Sequence, residues 1–181
     1  MNELILSQLE SPQGPLRLVT DAQGRVHALD FAEGLSPARR RMGSPASAGA
    51  LRAGPAPTGV ADALARYFDG DWAALDAVPV HTQGNALQEQ VGAALRRIPA
   101  GRTVSYGQLA RSLGLQDPRA AIDVGAANAA NPIALIIPCH RVVASDGSLR
   151  GYAWGLARKR WLLAHEHALA EAPQTATLPG F

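Results

Sequence analysis

The stretch IIPCHRVVASDG holds the single cysteine of this 181-residue chain, Cys139, between Pro138 and His140. A thiol beside an imidazole is a candidate nucleophile with its base. An ordinary cysteine is only a few per cent thiolate at neutral pH, so attack requires a base or a positive field nearby. Side chains of neighbours on an extended backbone point to opposite sides. Relay from Cys139 to His140 through a water is therefore easier than direct contact. A third group has to orient the imidazole. Glu166, near the end of the chain's last helical pattern, is the candidate, although spacing alone does not select it. The plainer alternative is that Cys139 is a small buried hydrophobe.

The elements that must carry these residues are readable in outline. SPQGPLRLVTDAQGRVHALDF predicts two strands around a turn at DAQG. The Pro/Gly/Ala/Arg-rich segment that follows reads as a flexible surface loop over about residues 33–60. Its Arg39, Arg40 and Arg41 form either a solvated charge run or a phosphate contact. VADALARYFDGD predicts a short helix and ALDAVPV a strand, closing a first domain over residues 1–82. In a second domain, 83–181, Leu87, Val91, Leu95 and Ile98 fall on one helical stripe. TVSYGQLARSLGL offers Ser105 as a cap, Leu109 and Leu113 as an apolar face and Gly114 as a stop. RAAIDVGAANAAN continues as a helix of small side chains, completing a helix-turn-helix outline. Its Ala120, Ala121, Gly125, Ala126 and Ala127 suit either close approach to another surface or tight internal packing. PIALIIP reads as a buried strand, and RVVASDGSLRG as a hairpin or wing turning at SDGS. In the final helix Leu156, Lys159, Leu163 and Glu166 are spaced to share a face. The fold class is α/β in the broad sense (α+β): a small sheet-containing N-terminal domain, then a mostly helical one with an active-site loop.

Composition narrows the function classes. The formal charge is only +2 with a pI near 9.1, compatible with nucleic-acid binding without arguing for it. One cysteine permits no internal disulfide and no multi-cysteine zinc site, so no metal is expected and a reducing, cytoplasmic compartment is. No apolar run approaches the roughly 20 residues of a membrane span. Glu3 sits where a signal sequence would carry positive charge.

NPIALIIPCHRVV, followed by DGSLRGYAWGLARKRWLLAHE and preceded by IPAGRTVSYGQLA, closely resembles the O6-alkylguanine-DNA alkyltransferase family over about residues 83–167. SPQGPL resembles the family's N-terminal domain less specifically. The resemblance implies a single-turnover repair protein. It would move an alkyl group from O6-alkylguanine in DNA, with O4-methylthymine as a second candidate, onto Cys139, with no cofactor. It implies that His140 deprotonates the thiol through a water, Glu166 holds the imidazole and Asn131 supports the turn. Tyr106 would donate toward guanine N3, while the backbones of Val142 and Ala153 read the base and Lys159 lies close by. The partner would be double-stranded DNA, gripped in the minor groove by a monomer with little sequence specificity. The target nucleotide must be flipped out of the duplex. The DNA contacts implied are Arg119, Ala121, Ile122, Ala126, Ala127 and Ser145.

The sequence departs from the family pattern at Ile122-Asp123 and Trp154, and more mildly at Ala153, where relatives often carry serine, and Gly92, where they often carry tryptophan. Ile122-Asp123 stands where relatives carry Arg-Ala, the arginine filling the gap left by the flipped base. An apolar side chain can still wedge between bases, and Arg119 lies one turn earlier on the same face. Trp154 occupies a position where many relatives have glycine. It reads either as a core tryptophan or as an indole at the pocket rim that limits bulky alkyl groups. Two other functions stand beside repair by transfer. One is a non-catalytic module that recognises alkylated DNA, against which the retained Cys139 argues. The other is a Cys-His-Glu hydrolase, for which no oxyanion-hole element is recognisable.

Overall fold

The computed structural model describes residues 3–33 and 51–169. Strands β1 (Leu4–Leu9), β2 (Leu16–Thr20), β3 (Val26–Phe31) and β4 (Leu51–Ala53) form one sheet in the order β3-β2-β1-β4. β1–β2 and β2–β3 pair antiparallel, and β4 lies parallel to β1. Helix α1 (Thr58–Phe68) turns Val60, Ala63, Leu64 and Tyr67 inward, the i, i+3, i+4, i+7 spacing of an amphipathic helix. Two of these elements fall in the segment expected to be a loop. β4 and the start of α1 both precede residue 60, while Arg39, Arg40 and Arg41 lie outside the described residues. β1 was not foreseen, and ALDAVPV contributes a short 3-10 turn (Trp72–Leu75) and a single bridge from Val80 to Val26 rather than a strand.

The helical half begins with α2 (Ala86–Leu95), whose N-terminus carries a reciprocal capping box between Asn85 and Gln88. Ser105 and Gln108 repeat the device at α3 (Tyr106–Ser112). Gly114 follows with φ +74°, the left-handed conformation that ends a helix at little cost only for glycine. Helix α4 (Ala120–Ala129) packs against α2 and α3, and α5 (Leu156–His165) closes the chain. A two-stranded parallel pair, β5 (Val104–Ser105) with β6 (Val142–Val143), ties α3 to the segment after Cys139.

The outer edge of β3 joins the two halves. Within the first half, Val26 N–H donates to Pro79 O at 2.9 Å and Val26 O accepts from His81 N–H at 2.8 Å, while the crossing to the second half is made at Leu29. Leu29 N–H donates to Pro132 O at 3.1 Å, and Ala134 N–H to Leu29 O at 2.8 Å. PIALIIP is buried as expected but is not a strand. Only Ile133 bridges to the sheet, and the chain then coils tightly, with Leu135 at φ +66° and Ile137 N–H returning to Ile133 O at 3.2 Å. Local turns satisfy its backbone, so no ladder forms. SDGS does turn, closed by Ala144 N–H to Ser148 O at 3.0 Å, but no second strand returns to make a hairpin. One apolar core runs from Leu16, Leu18 and Phe31 of the sheet through Val91, Val124 and Ile133 to Trp154 and Leu162. Among the described residues no helix is long and apolar enough to cross a membrane.

Candidate active site

Cys139 opens a one-turn 3-10 helix, Cys139–Arg141, directly after the coiled run. Its backbone is fixed from two sides: Cys139 N–H donates to Ile137 O at 2.8 Å, and Asn128 Nδ2 from α4 donates to Cys139 O at 3.4 Å. Asn131 organises the approach. Its Nδ2 donates to Ile133 O (3.1 Å) and Ile137 O (2.8 Å), while its Oδ1 accepts from Ile133 N–H (3.0 Å). One buried side-chain amide therefore satisfies three backbone groups of a segment that has no ladder.

Beyond the thiol lies a buried ionic cluster. His140 and Glu166 are fully buried, and His140 Nε2 meets Glu166 Oε1 at 2.9 Å. Arg141 grips the same carboxylate at both oxygens, Nε to Oε2 and Nη2 to Oε1, each at 2.9 Å. Its Nη1 donates to Ile98 O at 2.5 Å. Burial alone would raise the Glu166 pKa, but His140 and Arg141 hold the carboxyl well below the usual range. An ionised carboxylate can only accept, so Nε2 carries the imidazole proton and Nδ1 is the basic nitrogen. Nδ1 is buried and has no hydrogen-bond partner among the described residues. Burial pushes the His140 pKa down, against the pull of Glu166 and with further lowering from Arg141 and Lys159. At neutral pH the ring is thus uncharged and able to take a proton.

The loop opposite is pinned by Lys159. Its buried Nζ donates to Val142 O (2.6 Å), Arg150 O (3.1 Å) and Gly151 O (3.3 Å). Burial pushes its pKa down to about 8, opposed by Cys139 nearby. The Val142 carbonyl is engaged by this ammonium, while Ala153 is half-buried in the same loop. Tyr106, at the first turn of α3, donates its hydroxyl to Arg150 O at 3.1 Å. Burial and the neighbouring Cys139 raise its pKa, so the phenol stays protonated and able to donate. A Cβ on Gly125 would lie 3.7 Å from the Tyr106 ring, so the small side chains of α4 set its separation from α3.

The structure separates the other sequence candidates. Arg119, Ile122, Asp123 and Ala126 lie on the exposed face of α4, and Ile122 is 72% exposed. Ala121 is half-buried, and Ser145 is exposed at the turn. Ala127 turns into the core with Val124, so the expectation of a surface contact there is corrected: the helical period places it inward. Trp154 is also corrected. It is 1% exposed, donates Nε1–H to Asp30 Oδ1 at 3.1 Å, and packs edge-on against Tyr152 and Phe31, so it is core and not rim. Lys159, Leu163 and Glu166 share the buried face of α5 as expected, but Leu156 at its first turn is 47% exposed. Arg141, Asn128 and Tyr67 were missed. Arg141 stands in the quoted Cys-His-Arg run. Nothing in the sequence points from Tyr67 to Glu166, 99 positions away, whose Oε1 accepts its hydroxyl at 2.8 Å.

The chain is similar to known proteins over most of its length. The family described as 6-O-methylguanine DNA methyltransferase, DNA binding domain, matches residues 86–168. The methylated-DNA–protein-cysteine methyltransferase of Salmonella typhimurium is 42% identical over 172 residues, 92% of this chain and 97% of that protein. The crystal structure of Mycobacterium tuberculosis O6-methylguanine methyltransferase superposes with a TM-score of 0.74 at 36% identity, covering 93% of this chain and 96% of that one. The same mycobacterial protein in complex with DNA gives 0.73 at 35% identity, over 91% and 93%.

Proposed function

The chain belongs to the methylated-DNA–protein-cysteine methyltransferase family, and from that premise we propose how its own residues carry out DNA repair by alkyl transfer. Cys139 Sγ attacks the alkyl carbon on guanine O6 in line with the C–O bond. The S–C bond forms as the C–O6 bond breaks, restoring guanine and leaving a thioether. The thiol proton passes to His140 Nδ1 through a water, and Glu166 stabilises the imidazolium through Nε2. The departing purine gathers negative charge, which the Tyr106 hydroxyl neutralises by donating toward N3 in place of its bond to Arg150 O. Asn131 and Lys159 hold the two sides of the site, Lys159 by fixing the loop whose Val142 and Ala153 backbones face the base. The thioether is stable, so each molecule acts once.

The partner in this reading is duplex DNA, met by the exposed face of α4 through the minor groove. Arg119, Ala121, Ala126 and Ser145 contact the backbone, and Ile122 is the wedge that fills the gap left by the flipped nucleotide. Its exposure supports this, because a large aliphatic side chain 72% in water gains most from burial between bases. The protein acts as a cytoplasmic monomer in two domains meeting near residue 82, and O4-methylthymine is a second substrate. No cofactor enters the scheme.

The observation that carries the reading is the buried His140–Glu166 pair beside Cys139, with the basic Nδ1 left for the thiol's proton. Intact-protein mass spectrometry after incubation with a duplex bearing one O6-methylguanine tests it, with Cys139→Ala alongside. The expected result is a stoichiometric gain of one methyl group, localised to Cys139 and absent in the mutant. Binding to the damaged duplex without a mass gain would instead support a recognition-only protein.

A further inference from the structure

Helix α1 belongs to the sheet-bearing half of the chain, yet it delivers a side chain to the ionic cluster. Tyr67 lies in its last turn, fully buried, and donates its hydroxyl to Glu166 Oε1 at 2.8 Å. That oxygen also accepts from His140 Nε2 and Arg141 Nη2, both at 2.9 Å, while Oε2 accepts from Arg141 Nε. The tyrosine is held where it is. His165 Nε2, on α5, is 2.9 Å from the Tyr67 carbonyl, and the Tyr67 ring packs edge-on against Phe68 and His165. Such a constrained phenol is not a surface contact that a water can replace.

We propose that Tyr67 is a positioning residue for methyl transfer: by donating to Glu166 Oε1 it fixes the carboxylate and tempers its pull on the His140 proton. The inference rests on the reading that His140 is the base for Cys139. A carboxylate with one donor binds an imidazole N–H more tightly than one whose oxygen is shared among three. The more tightly Nε2–H is held, the more the imidazolium is favoured and the harder it is to keep the ring neutral. Tyr67 thus offsets part of the Glu166 charge, as Arg141 does, while adding no net charge of its own. The groups facing this pair from the surrounding elements are Arg141 of the 3-10 turn, Lys159 of α5, Tyr152 of the loop and Tyr67 of α1. Of these, Arg141 and Lys159 carry positive charge, and Tyr67 and Tyr152 are held neutral, their pKa values raised chiefly by burial.

The test is the pH dependence of single-turnover methyl transfer from an O6-methylguanine duplex in the full chain, wild type against Tyr67→Phe. The substitution keeps the ring and its edge-on packing and removes one donor. The expected result is an acid limb displaced to higher pH by about half a unit or more, the rate on that limb falling by about threefold per half unit, with the plateau above it and the affinity for the duplex unchanged. A profile superimposable on wild type, or a uniform rate loss with no displacement, overturns the inference. Should Tyr67→Phe not fold, 3-fluorotyrosine at position 67 supplies the stronger donor. It should move the profile the opposite way, and an unmoved profile again overturns the inference. Failure of the underlying reading looks different, since the wild type itself would then gain no methyl group on Cys139.

Discussion

Replacing Trp154 by phenylalanine and by alanine separates a core latch from a pocket-rim residue. The indole is buried between the β3 residue Phe31 and Tyr152, and its N–H reaches a buried carboxylate, Asp30, across the join between the two halves. Trp154→Phe keeps a ring in the core and deletes the donor. A hydrogen bond to a charged group is worth about 1.5–3 kcal/mol, so a loss near 2 kcal/mol is expected. Trp154→Ala removes the ring as well, adding about 3–5 kcal/mol for the lost packing and cavity. The sum, roughly 5–7 kcal/mol, is comparable to the whole stability of an ordinary domain. Urea unfolding followed by circular dichroism reads both. With a slope of about 2 kcal/mol/M, Trp154→Phe should lower the midpoint by about 1 M, and Trp154→Ala should be largely unfolded without urea. Asp30→Asn in the Trp154→Phe background should cost less than in wild type, because the two side chains share one interaction. A Trp154→Ala protein whose stability stayed within about 0.5 kcal/mol of wild type and which reacted faster with benzylguanine would refute the reasoning and restore the rim placement.

Further expectations follow from other contacts. Arg141→Leu leaves the buried Glu166 carboxylate without its bidentate partner and should cost about 3–5 kcal/mol, read in the same urea experiment. Ile122→Arg adds one cation to the exposed face of α4. Duplex affinity should rise at low salt, with the slope of log K against log salt steeper by about one, as measured by fluorescence anisotropy. Lys159 has its folded pKa lowered to about 8 from 10.5, so between these values the unfolded chain holds more of this proton. This group's contribution therefore grows as pH rises through that window and is constant below it. The stability difference between wild type and Lys159→Met should shift in favour of wild type by up to about 1.4 kcal/mol per pH unit from pH 8 to 9.5.

Much of the site was legible because chemistry and local geometry are written in short runs. Cys139-His140, the Asn131-Pro132 turn and the Ser105 cap each depend on residues within a few positions, and local hydrogen bonding enforces them. Helical period fixed the buried face of α2 and the burial of Lys159, Leu163 and Glu166 on α5. Short apolar runs were ambiguous. PIALIIP has the composition of a strand, but the Asn131 amide and the left-handed Leu135 close its hydrogen bonds locally, leaving a single bridge to β3.

By itself, then, the sequence determined the nucleophile candidate, the imidazole next to it and the helices that frame them, because periodicity and capping act over one or two turns. The tertiary structure alone decided which distant groups meet. Asp30 reaches Trp154 across 124 positions, and Tyr67 reaches Glu166 across 99, because β3 and α1 pack against the loop and α5. Burial then decided protonation. Removed from water, His140 is uncharged, Glu166 stays ionised through its partners, and Lys159 becomes a weaker base that gives up its proton more readily. No spacing along the chain encodes these effects, since each depends on how completely the folded protein excludes solvent.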